Sequence, residues 1–126
     1  MENQEKFDKY LKDHDIVFEV RVTDFLYENN MDKRGFSRMG AEAIACATDQ
    51  NRFWDYYHQA IRRLWQDYHS KGIGSSKNAP AIKDLTSAYW ESIASDVKLD
   101  NSFKSCLSEH KMLETVKQNT ADATTL

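Results

Sequence analysis

The chain has 126 residues, of which 40% are hydrophobic, 29% charged and 12% aromatic, with a formal net charge of −3. That size suits one domain with a real core, and the aromatic content argues against a disordered chain. The slight acidity removes any global pull toward nucleic acid or anionic membranes, and no apolar run approaches the ~20 residues needed to span a bilayer.

One proline and four glycines leave room for long helices. Phe7, Tyr10 and Leu11 give residues 2–12 an apolar stripe at helical spacing. Over 16–30 two periods compete. Ile16, Phe18, Val20 and Val22 alternate as in a strand, while Phe18, Val22, Phe25, Leu26 and Asn29 share a helical face. A lone strand has no hydrogen-bonding partner unless it pairs with another chain, so helix is the expectation.

Residues 29–35 read as a loop, after which Ser37 can cap a helix over about 38–47. Its small residues Gly40, Ala41, Ala43, Ala45 and Ala47 allow close approach and predict a central position. Thr48 or Asp49 can cap the strongest helix, about 50–70. Phe53, Tyr57, Ile61, Leu64 and Tyr68 form its expected core stripe, widened by Trp54 and Trp65, with Asp55, Gln59, Arg62 and Gln66 on the wet side.

Residues 71–79 form a Gly/Ser connector. Its Gly72-Ile73-Gly74-Ser75-Ser76-Lys77 lacks the lysine directly after the last glycine that a phosphate loop requires. Asn78 and Pro80 start the next helix, with Ile82, Leu85, Tyr89, Ile93 and Val97 facing the core. Asp100 caps a last helix holding Phe103, Cys106, Leu107, His110, Leu113 and Val116. Residues 118–126 read as a disordered tail, although Thr124-Thr125-Leu126 has the form of a C-terminal PDZ ligand. The expected architecture is therefore all-α: a single domain over 1–117, five or six helices packed around helix 50–70.

Cys46 and Cys106 fall in apolar helical patterns without Cys-x-x-Cys spacing. They read as free, shielded thiols, and with no signal-like segment they place the chain in the cytoplasm. His58 and His69 recur on one helical face, and Asp55 precedes His58 by three, a spacing able to share a metal. No second acid-x-x-His accompanies them, so neither metal nor cofactor is expected.

Every arginine (Arg21, Arg34, Arg38, Arg52, Arg62, Arg63) lies in the first half. Arginine beside surplus tryptophan is the composition of interface anchors. The expected activity is non-enzymatic: a regulatory or adaptor protein binding a protein partner through Arg52, Trp54, Arg62, Arg63 and Trp65. A homo-oligomer is compatible with this. A first alternative is a helix-turn-helix DNA binder made of helices 38–47 and 50–70, with Arg34, Arg38 and Arg52 as nucleic-acid contacts. A second rests on Arg52 with His58 and Arg63 with His69, each pair separated by five residues. This resembles the Arg-x(4–6)-His motif of HEPN-type helical ribonucleases, and the resemblance implies activation of a ribose hydroxyl at a dimer seam. Phe53 and Leu64 depart from the polar residue usual after the arginine.

Overall fold

In the computed structural model the described residues are 2–17, 19–23, 36–74, 80, 82 and 85–125. They form an all-helical single domain, as the composition predicts. The helices are α1 (Glu2–Asp13), α2 (Phe36–Asp49), α3 (Phe53–Asp67), α4 (Ser87–Asp96), α5 (Ser102–Ser108) and α6 (Leu113–Thr124), with a 3-10 turn at His69–Lys71 after α3.

α2 is the central helix, touching α3, α4, α5 and α6. Ala41, Ala43, Ala45, Cys46 and Ala47 are all buried along it, so its small side chains do bring neighbours close. The tightest approach is at Gly40, where a Cβ would lie 3.2 Å from the Trp90 ring of α4. The helix begins earlier than expected, so Ser37 lies inside its first turn rather than capping it.

The core joins Tyr56 and Ala60 of α3, Trp90, Ile93 and Ala94 of α4, and Phe103 and Leu107 of α5 to this alanine face. Each large side chain taken fully out of water contributes ~1.5–3 kcal/mol. Tyr56 is completely buried. Its ring meets Phe103 at 5.3 Å and its hydroxyl donates to the Trp90 carbonyl at 3.0 Å. Burial pushes that hydroxyl's pKa far above its ordinary value.

The cysteines correct the expectation of free thiols. Cys46 and Cys106 form a disulfide with a Cα separation of 6.0 Å, pinning α2 to α5. Both apolar faces were legible, but they meet each other, a fact that sequence spacing does not carry.

Four local expectations also change. Residues 16, 17 and 19–23 are neither helix nor strand. They run over the surface and are tied to α6: Arg21 donates to Asn119 (3.0 Å) and pairs with Asp122, while Asn119 donates to the Val22 carbonyl (3.0 Å). Val22 packs beside Ala41, Ala45 and Val116. The proposed helix over 24–30 and the loop to 35 lie outside the described residues. α4 starts at Ser87, not near Pro80, whose carbonyl instead accepts from Gly74 N at 2.6 Å. The last expected helix is two helices, divided at His110, whose φ of 53° turns the chain. Asp100 holds the start of the first by accepting from Ser102 N at 2.7 Å. Finally, α6 continues through Thr124, with Thr120 buried, where a disordered tail from residue 118 was expected.

Candidate functional site

α3, with Arg52 at its N-terminal cap position, positions the residues of the expected binding surface, and its orientation differs from the expected one. The buried positions are Tyr56 and Ala60, with Leu64 packed partly against the core. Ile61, expected at the centre of the core stripe, is 48% exposed, and Trp65 is 60% exposed. The inner face is thus rotated by less than one residue step of ~100°. The reason lies in partners rather than hydropathy. The Tyr56 hydroxyl finds a carbonyl, Ala60 admits close packing, and Arg63 on the same side finds carboxylates.

Arg63 is the hub of a polar bridge between α3 and α4. Its guanidinium donates to Asp96 (2.6 Å), Asp67 (3.3 Å) and the Ser92 hydroxyl (3.2 Å), and lies 5.1 Å from the Tyr89 ring centre. Gln59 donates to the same Asp96 oxygen at 3.0 Å, and Tyr89 donates to Asp67 at 2.9 Å. Desolvation opposes the charge on Arg63, but its hydrogen bonds to Asp96 and Asp67 outweigh that and hold its pKa up. The Gln59 hydrogen bond, reinforced by Arg63, holds the Asp96 carboxyl below its usual value. Burial, then hydrogen bonding to Asp67, raises the Tyr89 hydroxyl.

Arg52 is also engaged within the chain. It donates to Asp55 (2.7 Å) and to the Val97 carbonyl (2.8 Å) at the end of α4. Arg62 differs: it is exposed and makes a 3.5 Å contact with Gln59. The five expected residues therefore separate into Arg52 and Arg63, which join α3 to α4, and Trp54, Arg62 and Trp65, which face outward.

Trp54, His58, Ile61 and Trp65 follow at steps of four, three and four, and at ~100° per residue they fall within an arc of about 60°. Trp54 and His58 are half-buried and stacked with ring centres 5.7 Å apart. Trp54 borders an open groove of about 670 Å³ lined also by Val17, Val20, Thr48, Phe53 and Asp55. Val17 is 95% exposed at its rim. This groove was missed in the sequence because reading 16–23 as helix hid the outward alternation of Val17 and its neighbours.

Of the nucleic-acid candidates, Arg38 is half-buried on α2 and Arg34 lies outside the described residues. Arg52 and His58 line one shallow cleft with Asp55, Gln59 and Arg62. The second spaced pair does not converge in this way: Arg63 is bound to α4, and His69 Nδ1 donates to the Ile73 carbonyl at 3.1 Å. No group of three or more His, Cys, Asp or Glu gathers as for a metal ion among the described residues, and no described helix is long and apolar enough to cross a membrane. Comparison with protein-family models, with curated proteins and with solved structures found no match.

Proposed function

We propose that this chain is a non-enzymatic regulatory or adaptor module that binds a protein partner through the outward face of α3. The observation that carries the reading is the exposure of Ile61 and Trp65 in line with Trp54 and beside Arg62. A folded chain with a well-filled core gains nothing from an indole left 60% in water. Tryptophan and arginine around a groove are what a desolvated anchor requires. Arg52 and Arg63 serve the site indirectly by fixing α3 against α4.

The DNA-binding reading has less support. The first helix of its pair is the buried centre of the fold, and Arg52 at the start of the second is occupied by Asp55 and Val97. The same occupation weighs against Arg52 as a ribonuclease residue. The compartment also needs restating. The cytoplasmic expectation rested in part on free thiols, whereas a buried disulfide between helices favours an oxidising compartment.

The test places a photo-crosslinking residue at position 65 in the native cell. Adducts with a defined protein, lost on Arg62→Glu, are the expected result. An anchor worth ~2 kcal/mol corresponds to about 30-fold weaker binding on Trp65→Ala. A Trp65→Ala chain that keeps wild-type affinity for the captured protein refutes the reading.

A further inference from the structure

The outward stripe of α3 is symmetric along the helix. Trp54 and Trp65 are equidistant from the point between Gln59 and Ala60, and so are His58 and Ile61. An isologous two-fold contact requires a surface complementary to its own reversed copy. Resting on the partner reading above, we infer that the partner is a second copy of this chain, with the two α3 helices antiparallel. Trp54 then meets Trp65 of the other copy at each end, and His58 meets the other Ile61 in the middle.

Charge supports this occupant. Arg62 and Asp55 lie on one flank of the stripe. In the antiparallel arrangement each Arg62 stands about two residues, or ~3 Å along the axis, from Asp55 of the other copy. Among the described residues, Arg62 has only its 3.5 Å contact with Gln59 to give up. Asp55 uses Oδ2 for Arg52, and its side chain is 60% exposed, so Oδ1 can receive a second guanidinium. Two Arg62–Asp55 pairs form by symmetry, and a parallel arrangement forms neither.

Shape and area agree. Trp65 of the other copy arrives at the Trp54 end of α3, where the 670 Å³ groove opens between Val17, Val20 and Phe53. That groove gives its indole an apolar wall beyond the helix itself. Two tryptophans, at up to ~150–250 Å² each when buried, with Ile61, Val17 and Val20, supply several hundred Å² per copy. This is the small end of specific interfaces, so the dimer constant should be micromolar in order.

The experiment is sedimentation velocity on the full chain from ~1 to ~500 μM, a range spanning that order of affinity. Wild type should pass from monomer to dimer. Arg62→Glu alone and Asp55→Lys alone each place like charges opposite one another twice, and each should remain monomeric. Their equimolar mixture restores both attractive pairs and should dimerise. A mixture that stays monomeric while both variants keep their helical spectrum overturns the antiparallel register. Should either charge variant fail to fold, Trp65→Ala, at an exposed position, must raise the dissociation constant at least tenfold; an unchanged constant overturns the contact. Wild type monomeric throughout overturns the second copy. In that case, cross-links from position 65 to a different protein keep the partner reading, and their absence removes it too.

Discussion

Breaking the Cys46–Cys106 disulfide is the most consequential perturbation for the fold. The bond closes a loop spanning 60 residues. Loop-closure entropy for that length is about 14 cal/mol/K, or ~4 kcal/mol at 25 °C. A domain of this size has a total stability on the order of 6–19 kcal/mol. Its unfolding entropy near the melting temperature is ~0.26 kcal/mol/K at the usual value per residue, so the loss corresponds to a fall in Tm of about 15 °C. Replacing both cysteines with alanine also avoids leaving an unpaired thiol in the core, where the two positions are 1% and 8% exposed. The measurement is urea unfolding of oxidised wild type, reduced wild type and the double variant, followed by circular dichroism. Reduced protein and double variant should both lose ~4 kcal/mol while keeping a helical spectrum. Two titratable thiols in unfolded, unreduced protein would refute the pairing itself. A loss below ~1 kcal/mol would mean that residual structure confines the reduced unfolded chain almost as much as the bond does.

Paired substitutions on α3 test which face is inside: Tyr56→Phe strips a buried carbonyl of its donor and should cost ~1–3 kcal/mol, whereas Ile61→Ala at a half-exposed position should cost less than ~1 kcal/mol, and the reverse order in urea unfolding would mean that the helix is rotated. Acid unfolding tests the Arg63 hub. Asp96 is held below its ordinary pKa, so its contribution is present above the ordinary carboxylate value and is lost as pH falls through the depressed one. Asp96→Asn should therefore flatten the fall in stability between about pH 5 and pH 2, and an unchanged slope refutes that role. Tyr56 and Tyr89 act in the opposite sense: their raised values make stability fall as pH climbs above ~10. Tyrosinate absorbance from Tyr56 should appear only together with alkaline unfolding.

Helix content and the central place of α2 were readable because they depend on local quantities: scarce proline, helical spacing and a run of alanines. The orientation of α3 was not. Phe53, Tyr57, Ile61, Leu64 and Tyr68 make the better hydropathic stripe, yet Tyr56, Ala60 and Arg63 turn inward. Tyr56 and Arg63 do so for partners more than 30 residues away, respectively Trp90 and Asp96, and Ala60 for the helices packed against it. A hydropathy pattern treats arginine and tyrosine as surface residues and cannot register a carboxylate or carbonyl supplied by another helix. The segment 16–23 follows the same logic. Arg21 and Val22 are fixed by Asn119, Asp122 and Val116, about 95 residues on, so the local choice between helix and strand offered the wrong pair of alternatives. For the proposed site, composition pointed to this helix and its tryptophans. The groove, built by Val17 and Val20 against Phe53, needed the path of that segment.

The division of α3 into two faces also decides how its surface should be probed. Arg62 and Arg63 are neighbours in sequence and read alike as basic surface residues. In the fold they differ by one residue step of ~100° around the helix. That step moves the side chain from open solvent to a position between Asp67, Asp96 and Ser92. Reversing both charges together would place a glutamate between two carboxylates and loosen α4 from α3. Any loss of binding would then follow equally from a damaged fold and from a damaged interface. Reversing Arg62 alone leaves the α3–α4 bridge intact and changes only the outward flank. The inner arginines tie α3 to α4 and its end, and a helix held in this way can present Trp54, Ile61 and Trp65 at fixed spacing without the ordering cost that a flexible segment meets on binding. The core thus uses one side of the helix and the proposed recognition surface the other, and the exposed tryptophan is tolerable because the core does not depend on it.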